Sequence, residues 1–189
     1  GWPMAALTRQ LDCGDAQGST WLRADPVHVR ADLNAVRMLA WGNLQLSEAE
    51  AQALLKPLKL LFGDAGFPIS APVPERWYLM LPREARLPVF TDPEDVLGDE
   101  IHDLLPQGDA GRRWRQLLNE AQILLHNHPR NAERAAAGKP TVNSLWFWGG
   151  GVLPDLVALE ADHVFSREVT LAALAAQAGS PAAALPATL

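Results

Sequence analysis

Only one cysteine, Cys13, occurs in the 189 residues. That excludes an intramolecular disulfide and any cysteine-rich zinc site, and it fits a reducing, cytoplasmic setting. Long apolar runs are also missing. None approaches the roughly 18 residues needed to span a bilayer. The N-terminus shows no basic region followed by an apolar core, so neither membrane insertion nor a secretory leader is expected. Positive charge is in deficit: 16 Lys and Arg stand against 22 Asp and Glu, a net charge of −6. Nucleic-acid binding needs a basic footprint that displaces counterions from phosphates, so it is not expected. There is no P-loop, dinucleotide fingerprint or HExxH element. No Gly-x-Ser-x-Gly elbow presents Ser144 as a nucleophile, and no segment repeats.

Tryptophan, by contrast, is abundant, with seven against one tyrosine. These residues read as core and interface packing. The length fits one domain, or one domain plus a fragment of a second, and folding at that size buries roughly 70% of the unfolded surface.

Residues 1–20 read as a short helix or irregular arm. Val27 to Ala31 and Val36 to Met38 alternate apolar and polar residues around Asp32-Leu33-Asn34, which predicts a β-hairpin with one buried face. Asp25 and His28 lie three apart, so in a strand they face opposite ways and make no acid/base pair. Ser47 to Glu50 is a capping box. It opens a helix with Leu54, Leu55, Leu58, Leu61 and Phe62 on one stripe, kinked at Pro57 and ended by Gly63 and Gly66. Pro72 to Pro74 read as a rigid connector and Arg76 to Leu81 as a strand. Asp92-Pro93 predicts a short helix to about Leu105. Asp109 is placed as the cap of a helix striped by Trp114, Leu117, Leu118, Ala121, Leu124 and Leu125. Pro129 ends it. Asn131 is placed as the cap of a further short helix closed by Gly138. Val142 to Trp148 carries bulk on both faces and reads as a central strand. Val164-Phe165 suggests another strand, and Val169 to Ala178 a helix. The tail from Pro181 has no polar face and reads as the start of an uncompleted element, which leaves room for a longer protein.

The richest polar segment runs from His126 to Pro154. His128, Arg130, Asn131 and Arg134 suit an anion site: guanidiniums clamp phosphate or carboxylate bidentately, and a helix start at Asn131 adds amides and dipole. Gly149, Gly150 and Gly151 read equally as an anion-binding nest or a tight turn after a buried strand. Trp146 and Trp148 share one face and read as core. Glu120 reads as a solvated or paired helix residue.

From His126 to Gly151 the sequence resembles the archaeal-type cofactor-independent phosphoglycerate mutases, of the alkaline phosphatase superfamily. The residues that carry this are His128, Pro129, Asn131, Arg134 and Gly138, then Asn143, Trp146, Gly149, Gly151 and Pro154. The whole chain is similar to bacterial RpfE-type regulatory or phosphoglycerate mutase-like proteins. That similarity rests on Asp25-Pro26-Val27-His28, Arg76 to Leu79, Leu105 to Gly108, Asn119-Glu120, His128-Pro129 and Val142 to Gly151. The mutases use a phosphorylatable serine and two metal ions held by Asp and His, which neutralise phosphoryl charge. Here no Gly-Asp-His element occurs, and Asp162-His163 is the only Asp-His pair. His28, His102, His126, His128 and His163 are scattered.

These readings set the expectations. The fold is α+β, a mixed or antiparallel sheet with helices packed on one side and a C-terminal part that retains a parallel strand pair. Residues 1–189 form one mutase-like domain. The function is a regulatory or binding protein for a small phosphorylated or carboxylated metabolite, held by His128, Arg130, Asn131, Arg134, Asn143 and Gly149 to Gly151. No metal, cofactor or catalysis is expected of the chain itself. One alternative is an active mutase or phosphomonoesterase whose catalytic residues lie outside the chain. Another is a protein-interaction module anchored by exposed tryptophans.

Overall fold

A computed structural model describes residues 1–155, 164–165, 169–179 and 182–183. The architecture is α+β, with a five-stranded antiparallel sheet and helices alongside it. Its axis is β1 (Thr20–Asp32), longer than the alternation around Val27 suggests. The first eight residues of β1 are all buried, Arg23 and Asp25 included, so their charges do not mark a solvent face. The hairpin to β2 (Ala35–Trp41) turns over Leu33-Asn34, with Asp32 opposite Ala35. On the N-terminal half of β1, β4 (Arg76–Leu81) pairs with Thr20 to Arg23.

The next strand out is β3 (Ile69–Val73), which the proline-rich sequence disguised as a connector. Pro72 is tolerated because β3 is the sheet edge, where no ladder donor is required. The last strand, β5 (Ser144–Val152), pairs with β1 alone among the described residues. It is therefore not central in the sheet. Its bulk on both faces meets helices on each side.

Leu145 and Phe147 point to one face and pack with Leu54, Leu58, Leu118 and Leu125. Those residues come from α2 (Glu48–Asp64) and α3 (Gly108–His126). Trp146 and Trp148 point to the other face, as period-two alternation requires. There they pack with Met4 and Leu7 of α1 (Met4–Cys13) and Ala173 of α5 (Val169–Gln177). Helices thus line both faces.

Ser47 caps α2 as expected, accepting from the Glu50 amide at 3.1 Å, and α2 runs through Pro57 to Asp64. Three expected local features differ. Asp109 lies inside α3, whose cap is Gln107 without a side-chain bond; the Asp109 carboxylate pairs instead with Arg112. Asn131 lies inside α4 (Pro129–Ala136), whose cap is His128. Between Asp92 and Leu105 only two 3₁₀ turns form, Pro93–Asp95 and His102–Leu104, with Gly98 at φ 87° between them. In the C-terminal part β6 (Val164–Phe165) and β7 (Ala182–Ala183) form the expected parallel pair.

Candidate functional site

The His128–Arg134 segment is folded inward, and the surrounding chain uses its polar atoms. His128 Nδ1 accepts from the Arg130 amide at 3.1 Å, and its Nε2–H donates to the Ala53 carbonyl of α2 at 2.9 Å. These two partners fix the ring tautomer. Asn131 is buried. Its Nδ2 donates to the Leu125 and Val142 carbonyls, each at 2.7 Å, and its Oδ1 accepts from the Val142 amide at 2.8 Å. One carboxamide therefore ties the end of α3 to the approach of β5.

Arg134 is only 3% exposed, and all three of its nitrogens are engaged. Nε donates to the Pro140 carbonyl at 2.8 Å, one terminal nitrogen to Glu50 Oε2 at 2.5 Å, and the other to the Leu44 carbonyl. Burial opposes ionisation of Glu50, but the hydrogen bond and charge of Arg134 outweigh it and hold the carboxyl below the usual glutamate range. Arg130, by contrast, is half-exposed and pairs with Glu133 one turn along. Asn143 acts as an extra ladder residue: Oδ1 accepts from the Val29 amide at 2.8 Å and Nδ2 donates to the Val29 carbonyl at 2.7 Å.

The glycine triplet lies within β5, at its far end. At about 3.3 Å per residue, seven or more residues separate Val142 from Gly149 by on the order of 20–30 Å along the chain. There the glycines admit other backbone and side chains at close range. A Cβ on Gly149 would lie 3.1 Å from the Ala5 nitrogen, one on Gly150 2.5 Å from Leu87 Cδ1, and one on Gly151 2.6 Å from Pro3 Cβ. The structure thus gathers His128, Asn131 and Arg134 at the junction of α2, α3 and α4, with Asn143 near by. It sets Gly149, Gly150 and Gly151 against the start of α1.

A groove of about 780 Å³ opens beside this junction, between the hairpin and α3. Its polar lining includes His102, Arg115, Asn119, Gln122, His126 and Asn143. Arg115 bonds the Pro106 and Gly108 carbonyls, Gln122 donates to Ser144 Oγ at 2.8 Å, and His102 meets Glu100.

The motif pattern did not single out a buried ionic cluster on the opposite face. Asp25 is fully buried and paired with Arg23 at 2.8 and 2.9 Å. Its Oδ2 also accepts the indole N–H of Trp41 and of Trp148, each at 2.9 Å. Arg23 reaches Thr8 Oγ1 at 3.2 Å. The available signal was the Arg23-x-Asp25 spacing, which puts opposite charges on one face of an otherwise apolar strand. Nearby, Asp12 accepts from Arg76 and from the Tyr78 hydroxyl at 2.6 Å. Burial pushes the Tyr78 phenol well above its ordinary value.

His28, on the other side of β1 from Asp25, bonds the Thr141 carbonyl at 2.9 Å. Trp2 alone among the tryptophans is exposed. Among the described residues no three His, Cys, Asp or Glu side chains are grouped as a metal site requires. The Asp162-His163 pair lies outside those residues. No described helix is long and apolar enough to cross a membrane.

No family model matches the chain. It is 27% identical over 157 residues to a "Probable 2,3-bisphosphoglycerate-independent phosphoglycerate mutase" of Geobacter sulfurreducens, covering 82% of this chain and 39% of that protein. It is 37% identical over 68 residues to the 2,3-bisphosphoglycerate-independent phosphoglycerate mutase of Methanosarcina mazei, or 36% of this chain and 17% of that one. In fold it is similar to the cofactor-independent phosphoglycerate mutase from Thermoplasma acidophilum. The TM-score is 0.55 at 20% identity, over 98% of this chain and 52% of that one. The chain is thus similar in sequence to part of the two curated mutases and in fold to part of the third, and it spans well under two thirds of the length of each.

Proposed function

We propose that these residues are one part of a phosphoglycerate mutase-type enzyme whose serine nucleophile and metal ligands lie outside the chain. The observation that carries this reading is the asymmetry of the match: 82% of this chain corresponds to only 39% of the Geobacter relative. Phosphoryl transfer relies on positioned charge to neutralise the moving group. In the His128–Arg134 segment Arg134 meets Glu50 and backbone carbonyls, the Asn131 amide meets backbone carbonyls, and Arg130 meets Glu133. The chemistry is therefore assigned to the part of the protein that these residues do not include. This portion supplies a rigid scaffold for it.

The test compares two samples in a coupled enolase assay with Mn²⁺. The full-length protein, isolated from its native cell, should interconvert 2- and 3-phosphoglycerate and lose that turnover on chelation. The 189-residue chain alone should show none. Turnover by the isolated chain, or none by the full-length protein, would overturn the proposal.

A second reading, binding of a small phosphorylated or carboxylated metabolite by a regulatory protein of the RpfE type, draws on the groove beside α3. The His126 imidazole there has no hydrogen-bonding partner among the described residues and can meet an anion. Under this reading the full-length protein is inactive, and 3-phosphoglycerate titrated into the chain binds more weakly after His126→Ala.

A further inference from the structure

A second cavity, of about 400 Å³, lies on the opposite face of the sheet from the Arg134 junction. Three indoles line it: Trp2, Trp41 and Trp148. Trp41 and Trp148 stand perpendicular, at 87° with centroids 6.0 Å apart, and form an aromatic corner. The corner is rigid because both indole N–H groups donate to one oxygen of the buried Asp25. Trp2 is half-exposed on the arm before α1, so this wall can adjust to an occupant.

The remaining lining is acidic and apolar. Asp92 and Glu94 contribute carboxylates, and neither forms an ion pair among the described residues. Among the described residues no Lys, Arg or His lines the cavity. The loop that carries the two acids amplifies the sign. Between Arg86 and Arg112 the chain has seven acidic residues and no Lys or Arg. A field of one sign focused on a cleft raises the local concentration of the opposite charge. Aromatic faces attract the same kind of ion through their quadrupoles, and cages of this composition take alkylated ammonium groups. The indole corner and the unpaired carboxylates are independent features, and they select the same ligand chemistry.

We propose that this cavity binds an alkylammonium head group, held against Trp2, Trp41 and Trp148 and neutralised by Asp92 and Glu94. The proposal does not rest on the mutase reading: of the His128–Gly151 segment it uses only Trp148, and none of the residues gathered around Arg134.

The experiment is a tryptophan-fluorescence titration of the whole chain with choline and, separately, with Nα-acetyl-Nε-trimethyllysine. The uncharged isostere 3,3-dimethylbutan-1-ol and matched NaCl serve as controls. Saturable changes with at least one cation and none with the controls are expected. A tighter response to choline identifies free small amines as the source, and a tighter response to the lysine derivative identifies a modified protein side chain. Because Trp41→Ala would disturb Asp25, the test variants are Trp2→Ala and the double variant Asp92→Asn/Glu94→Gln, all at exposed positions. Each should weaken binding about tenfold, the loss expected of one cation–π or charge contact. An equal response to the neutral isostere, no saturation by either cation, or unchanged affinity in both variants would overturn the proposal.

Discussion

Arg134 and Glu50 form an ion pair between α4 and the first turn of α2, with the guanidinium 2.5 Å from the carboxylate and only 3% of its side chain exposed. The residues are 84 positions apart in sequence. The same guanidinium holds the carbonyls of Leu44 and Pro140. One side chain therefore joins the loop before α2, the first turn of α2 and the loop before β5.

The pair makes stability depend on pH in a defined direction. The folded Glu50 carboxyl sits below its ordinary value of 4.5. Its contribution is complete above the unfolded value and is lost as pH falls through the lower folded value. The acid limb of the urea-unfolding profile should therefore be shallower below about pH 4.5 in Glu50→Gln than in wild type. Parallel limbs would mean that the pair is not coupled to folding.

The glycine triplet gives an ordered series. Gly149 has φ 68°, and a Cβ there would press on the Ala5 nitrogen and Met4 Cβ at 3.1 Å. Gly150 meets the tip of the Leu87 side chain, which can move. Gly149→Ala should cost about 1–3 kcal/mol in chemical denaturation, the range for a strained non-glycine conformation, and Gly150→Ala should cost less. A reversed order would remove the close approach of α1 as the reason for the triplet.

At Asp25 the prediction concerns a buried charge. Asp25→Asn leaves the Arg23 guanidinium without its counter-ion in the core. Removing one partner of such a pair costs about 3–5 kcal/mol. It should also shift the tryptophan emission, because Trp41 and Trp148 both lose a carboxylate acceptor. A small stability change with unaltered emission would show that the cluster is replaceable.

How far the fold was legible follows from these same residues. The hairpin, the capped α2 and the apolar stripe of α3 are local patterns, and period and capping chemistry exposed them. β3 was hidden because Pro72 imitates a connector, and only its place at the sheet edge makes it a strand. The first half of β1 was hidden because its charged face, Arg23 and Asp25, is buried rather than solvent-facing. The motif residues were visible, but their partners were not. Glu50, Leu44, Ala53 and Val29 lie 75 or more positions from the side chains they meet. An inward-facing arginine and a ligand-facing one look the same in sequence. Asp25 was marked, but with His28; its pairing with Arg23 was not, because nothing in the segment reveals the indoles that converge on the carboxylate.

The central claim is that the polar segment around Arg134 holds the fold together. Thermal unfolding of wild type, Arg134→Ala and Arg130→Ala, each with and without millimolar 3-phosphoglycerate, tests it most directly. Without ligand, Arg134→Ala should lose about 3–5 kcal/mol, as when one partner of a buried pair is removed. Arg130→Ala should lose no more than about 0.5 kcal/mol, as for an exposed pair. Any shift produced by the ligand should be the same in all three proteins. Equal unliganded midpoints for wild type and Arg134→Ala, with a ligand-induced rise in wild type alone, would contradict the claim and place Arg134 in an anion site.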